Sequence, residues 1–124
     1  MIIWLILALL FVKHFLADFC WQTDRMFKDK GHFGRTGGLQ HAGLHGALTY
    51  VVLMHFVGIQ ACVMLAAFDA ALHYVIDWVG VRVVVKLSTE DRAYWVWMGM
   101  DQLLHSFTYL GIAFTISVLL GEWV

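Results

Sequence analysis

The sequence predicts an all-α polytopic membrane protein, a bundle of four transmembrane helices around a buried cluster of histidines and aspartates. Three observations carry that reading. Hydrophobic residues make up 61% of the 124-residue chain and charged residues 14%, against about 45–50% and about 25% in soluble domains; a soluble chain this short could not hide so much apolar surface from water. The apolar residues gather into stretches near the length of about 20 residues that a span needs. Each stretch also carries ionisable residues spaced four apart. The sequence contains no proline, so nothing interrupts the helices.

The first span reads over residues 2–22. Residues 1–10 lack the basic region and small-residue cleavage site of a secretory signal. Their apolar run continues to Phe19, interrupted by Lys13, His14 and Asp18, so this segment reads as a retained span. A polar stretch follows over 23–40, with Asp24, Arg25, Lys28, Asp29, Lys30, Arg35 and several glycines. The second span reads over 41–57 and the third over 61–81, turning at Gly58. A single helix over 42–81 would measure about 60 Å, twice the hydrocarbon core of about 30 Å. A second polar connection, 82–92, leads to the last span, 93–120. The whole chain, 1–124, reads as one transmembrane domain.

A net charge of −1 gives no basic face for nucleic acid. Of the Lys and Arg residues, only Lys13 lies outside the 23–40 and 82–92 connections. The positive-inside rule then places both connections in the cytoplasm and both termini outside, in the inner (cytoplasmic) membrane. Trp21, Tyr94, Trp95 and Trp97 fit an aromatic belt at the cytoplasmic interface, and Trp4 and Trp123 one at the outer interface. Cys20 and Cys62 fall near opposite faces and do not read as a disulfide.

The chemistry lies in the polar residues within the spans: His14 and Asp18; His41 and His45; Asp69, His73 and Asp77; Asp101 and His105. Residues four apart share one helix face. The pairs 14/18, 41/45, 73/77 and 101/105 sit late in the odd spans and early in the even ones, so antiparallel helices bring them into one layer near the cytoplasmic surface. A lone Asp at a bilayer centre costs about 2.5–3.5 kcal/mol even on the gentlest scale, so these groups must satisfy one another. Either they form a hydrogen-bonded network or they coordinate metal. Eight ligands, His14, Asp18, His41, His45, His73, Asp77, Asp101 and His105, suffice for one or two divalent ions, with zinc the expected metal, and helical bundles build such sites from inward side chains.

Around them, Asp69 is expected to orient His73 as an acceptor, and Gln22, Asp24 and Gln102 to support the ligands or touch substrate, Thr23 or Asp24 alternatively capping a helix. Lys13 either snorkels or faces a carboxylate or an anionic substrate. His55 reads as interfacial and His32 as solvated. The basic residues at the mouth read as topology and headgroup contacts. Gly43, Gly46 and Ala47 could let helices approach closely. There is no Gly-x-Ser-x-Gly elbow, P-loop or His-Glu-x-x-His motif. The only Glu residues, Glu90 and Glu122, stand outside the cluster, which disfavours di-iron oxygen chemistry.

His14-Phe-Leu-Ala-Asp18-Phe with Gln22-Thr23-Asp24, His41-x3-His45, His73-x3-Asp77 and Asp101-Gln102-Leu-Leu-His105 together resemble the family of small bacterial and phage membrane proteins designated domain of unknown function 3307. The resemblance spans nearly the whole chain. It implies the four-helix architecture and this choice of inward residues, and it is compatible with a phage or prophage origin. A lysine often follows the third-span Asp in that family; here Arg82 and Lys86 stand in that region.

The leading functional expectation is a metal-dependent hydrolase acting on a membrane lipid or lipid-linked substrate from the cytoplasmic side. Whichever of Asp18, Asp77 and Asp101 is not a ligand would serve as general base. The alternatives are a non-enzymatic phage or host interaction protein with a structural metal or polar network, and an ion- or proton-path component. A monomer and a homo-oligomer are both compatible with the sequence.

Overall fold

The computed structural model describes residues 1–122; Trp123, assigned above to the outer aromatic belt, lies outside the described residues. Helix α1 (Ile2–Phe15) passes directly into a π-helical turn (Leu16–Cys20). It is followed by α2 (Asp24–Lys30), α3 (Thr36–Leu53), α4 (Ile59–Val84) and α5 (Arg92–Leu120), and the described residues contain no strand.

Three segments, Ile2–Cys20, Ile59–Val84 and Arg92–Leu120, are long and apolar enough to cross a membrane. The long helix α3 falls short of that description because Gln40, His41, His45 and four glycines dilute its apolar residues. The four expected spans thus become five helices, three of them span-like by length and composition. The helices expose large apolar side chains, such as Phe11, Phe15, Met64, Phe68, Leu103 and Phe107, and bury histidines and aspartates. A soluble bundle does the reverse.

The polar 23–40 stretch is not the loop its composition suggests. Thr23 caps α2, its Oγ1 accepting from Met26 N at 3.3 Å. Helix α3 then starts at Thr36, well before the expected His41. Gly37 makes this possible: its N–H donates to Asp29 Oδ2 at 3.0 Å, and a Cβ there would sit 2.6 Å from Arg25 O. Glycine here permits two backbones to touch.

The long helices form a closed ring, α1 against α3 and α5, and α4 against α3 and α5, and only side chains such as Lys13 and Asp69 reach across the diagonal between α1 and α4. At Gly46, where a Cβ would lie 3.0 Å from Ala66 O, α3 and α4 come close together. Gly43 and Ala47, expected to do the same, are exposed. One end of the ring is filled by Ile6, Leu10, Leu53, Cys62, Ile112 and Ile116. The other end holds the polar side chains.

Candidate metal centre

The site begins with an irregularity in α1. In the π turn the Trp21 N–H reaches back to Leu16 O at 2.9 Å, five residues rather than four. Both Ala17 and Asp18 become buried. Such turns recur at functional sites, and nothing in the composition of residues 16–20 announces this one.

Asp18 is the hub. Its Oδ1 lies 2.8 Å from His41 Nε2, 3.3 Å from His45 Nε2 and 3.7 Å from His73 Nε2, and its Oδ2 lies 3.1 Å from His14 Nε2. Asp77 links two groups. Its Oδ2 is 3.3 Å from both His41 Nε2 and His73 Nε2, while its Oδ1 is 3.6 Å from His105 Nε2 and 3.3 Å from Lys30 Nζ. Asp101 Oδ2 lies 3.7 Å from His105 Nε2. The rings of His45, His73 and His105 stack, with centroid separations of 3.4 and 4.1 Å. All eight candidate ligands thus meet in three overlapping groups whose ligand atoms lie within 4.8 Å of one another: Asp18–His41–His45–His73, His14–His73–His105 and Asp77–Asp101–His105.

These groups could hold a metal ion, and two properties of the residues fit one. Asp18 Oδ1, Asp77 Oδ2, His45 Nε2 and His105 Nε2 are buried without a hydrogen-bond partner, despite neighbours as near as 2.8 Å. The atoms are close but not aligned as donor and acceptor, and within each group the ligand atoms lie near enough to share an ion. Buried polar atoms are rarely left so, and a cation is the partner that satisfies several acceptors at once. The donor set agrees: carboxylates from Asp18, Asp77 and Asp101 stand with imidazoles around one ammonium, Lys30, a mix of oxygen and nitrogen donors that suits a divalent ion. The Nδ1 atoms of His41 and His73 also lack partners, so what binds at Nε2 sets the tautomer of each ring.

The sequence model of the family described as protein of unknown function (DUF3307) matches residues 6–123. The chain belongs to the DUF3307 family. No curated protein and no solved structure matches it. The DUF3307 match encloses every residue of the cluster but carries no activity, so the chemistry must be argued from the geometry.

Several side chains of this DUF3307 chain stand elsewhere than their spacing suggests. Asp69 does not orient His73. Its Oδ2 accepts from Lys13 Nζ at 2.6 Å and Thr49 Oγ1 at 2.5 Å, because an ammonium at the same depth is a stronger partner for a carboxylate than a neutral ring. Lys13 therefore faces a carboxylate, with His45 Nδ1 at 3.3 Å and the Tyr109 ring centroid at 4.6 Å. Lys30, read with the other basic mouth residues as a topology and headgroup contact, is buried against Asp77. Asp24 is exposed in the first turn of α2, outside the buried cluster, where Thr23 supplies the cap. His32 and His55 are exposed.

Gln102 connects two candidate ligands: His14 Nε2 meets its Oε1 at 3.1 Å, and its Nε2 donates to Asp101 Oδ2 at 3.2 Å. The other nitrogen of His14, Nδ1, is hydrogen-bonded with the Tyr109 hydroxyl at 2.8 Å. Sequence reasoning missed Tyr109, although its spacing of four from His105 extends the same face. It also missed Gly80, where a Cβ would sit 2.6 Å from Asp101 Oδ1; only a glycine lets that carboxylate lie against α4. Gln22, half-buried, shares a cavity of about 170 Å³ with Asp18, Lys30, Asp77, Asp101 and Gln102. Phe19, Phe27, Tyr94 and Met98 are among its apolar and aromatic lining residues.

Proposed function

We propose that the chain is a membrane-embedded, metal-dependent hydrolase that acts on a lipid or lipid-linked substrate from the cytoplasmic side. The observation that carries this is the convergence of imidazole and carboxylate atoms from four helices, left without hydrogen-bond partners, beside a cavity.

In this reading α3 is the fourth span. Its 18 residues reach about 27 Å at 1.5 Å each, close to the hydrocarbon thickness. It turns its histidines inward and leaves Leu39 and Val51 exposed. The basic residues gather at the cluster end, which supports the reading with that end in the cytoplasm and both termini on the outer side of the inner membrane. Zinc fits the mixed nitrogen and oxygen donors. The Asp18–His41–His45–His73 group offers four ligands, the number of a closed site. Asp77–Asp101–His105 offers three, the number that keeps a position open for water, and it adjoins the cavity. Bound metal would lower the pKa of that water toward about 7. A carboxylate oxygen not bound to the ion would take the proton of that water as its oxygen adds to the ester carbonyl or phosphoryl centre, and would pass the proton to the departing oxygen as the ester bond breaks. Asp101, half-buried and held by Gln102, is the best-placed carboxylate for that exchange.

The closed four-ligand group favours a second reading, a structural ion in an interaction protein. A transport path has less support, since Ile6, Leu10, Leu53, Ile112 and Ile116 are wholly buried and fill the far end of the ring.

The test is turnover. The purified chain in vesicles of bacterial polar lipid is stripped with a chelator and resupplied with zinc, and released fatty acid and headgroup are followed by mass spectrometry. Zinc-dependent product is expected, with a loss of about 10²-fold or more in Asp101→Asn. No product from metal-replete protein across the lipid extract would overturn the hydrolase and leave the structural ion.

A further inference from the structure

We propose that a basic, aromatic-walled groove beside the metal centre binds the phosphate headgroup of an anionic membrane lipid. Resting on the hydrolase reading, this makes a phosphate-bearing acyl lipid the substrate class.

Five of the seven basic residues of the cytoplasmic connections fall into two sets. Arg25 and Arg35 share the Asp29 carboxylate, at 3.8 and 3.5 Å, and Arg25 also donates to Thr36. Lys28, Arg82 and Lys86 have no carboxylate partner among the described residues, and all three line one groove of about 880 Å³ between α2 and the end of α4. No acidic residue lines it. The groove is therefore a concave surface with uncompensated positive charge, complementary to an anion.

Its walls separate a lipid from a free anion. The Arg82 guanidinium lies over the Trp78 ring, 5.1 Å from the centroid, and Phe33 meets Trp78 edge-on at 5.5 Å. Phe33 is 73% exposed and Val85 67%. Exposed apolar side chains interleaved with free cations suit the headgroup boundary of a bilayer, where aromatic rings and basic residues settle together. A site for soluble phosphate would gain nothing from them.

The groove also leads to the chemistry. Phe27, Val81 and Val85 line both the groove and the cavity that holds Asp18, Asp77 and Asp101. A lipid anchored by its phosphate on Lys28, Arg82 and Lys86 can lay its ester region across these three residues toward the carboxylates. The anchoring charge then stands apart from the reacting bond, and binding energy from a remote group serves to position it.

The test is lipid retention by the detergent-solubilised full chain in native mass spectrometry. The chain is offered equimolar phosphatidylglycerol and phosphatidylcholine, with a chelator present so that neither metal nor turnover contributes. Wild type is expected to retain phosphatidylglycerol selectively. Arg82→Gln/Lys86→Gln, both exposed positions, should reduce that selectivity on the order of tenfold or more. Arg25→Gln/Arg92→Gln, which removes the same charge outside the groove, should leave it near wild type, and Lys28→Gln should fall between. Equal retention of both lipids by wild type, equal loss in the two double variants, or displacement of the lipid by millimolar inorganic phosphate would each overturn the proposal. Intact selectivity without turnover in the vesicle assay would remove the hydrolase and keep the groove; turnover without selectivity would do the opposite.

Discussion

The Lys13–Asp69 pair and the His/Asp cluster occupy adjacent turns of the same helices, yet only the first is self-sufficient. Asp69 has an ammonium at 2.6 Å and a hydroxyl at 2.5 Å, and Lys13 also lies over the Tyr109 ring. One turn along α4, His73 and Asp77 meet rings and carboxylates from three other helices, and four of the converging ligand atoms keep no hydrogen-bond partner. The same residue types therefore serve two purposes. Where the chain supplies its own cation, the carboxylate is a structural element. Where it supplies only Lys30 against three carboxylates, the converging ligand atoms could hold an ion that restores the balance.

This difference can be broken from either side. The largest effect is expected at the self-sufficient pair. Lys13→Met leaves the Asp69 carboxylate buried without its cation, and removal of one partner of a buried pair costs about 3–5 kcal/mol. Thermal unfolding in detergent should show that loss, and Lys13→Met/Asp69→Leu should recover most of it. A Lys13→Met variant as stable as wild type would mean the pair is not the buried structural unit described. Next comes the cluster. If it holds an ion at about a hundredfold its Kd, chelation should lower stability by about 2.7 kcal/mol. Asp18→Asn should abolish that response, and the Lys13→Met/Asp69→Leu double variant should keep it. A chelator response that follows the lysine rather than Asp18 would reverse the assignment of the two assemblies.

A smaller effect is expected at Gly80. An added methyl must displace Asp101 Oδ1, 2.6 Å away, and overpacking of this kind costs about 1–3 kcal/mol. Gly80→Ala should weaken metal retention at the Asp77–Asp101–His105 group, read by metal titration, while leaving the Lys13 pair intact. The smallest effect belongs to Thr49→Val, which removes one hydrogen bond to Asp69 at about 1 kcal/mol and should leave metal content unchanged. A drop in metal content there would show that the two assemblies are coupled through His45, whose Nδ1 lies 3.3 Å from Lys13.

What could be read in the sequence was what helical periodicity alone determines. Residues four apart share a face whatever surrounds them, so the pairs His14/Asp18, His41/His45, His73/Asp77 and Asp101/His105 were legible, and alternation of direction placed them in one layer. Family membership was legible from the same motifs. Partnerships decided by tertiary contact were not. Asp69 lies on the face of His73 and reads as its acceptor, but Lys13 from α1 reaches it first. Lys30 reads as a mouth residue until α2, hidden in a glycine-rich polar stretch, turns it onto Asp77. The π turn at Leu16–Cys20 has no compositional mark. The close approaches at Gly37 and Gly80 have no mark in the sequence, because a glycine's value there depends on a neighbour that is distant in sequence.

The most direct measurement is the elemental metal content of the purified, detergent-solubilised chain, taken beside Asp18→Asn. The account predicts at least one divalent ion per wild-type chain, retained through purification, and its loss in Asp18→Asn while the variant remains helical. A folded wild-type chain that carries no stoichiometric divalent metal, takes none up on titration, and melts identically with and without chelator would contradict it.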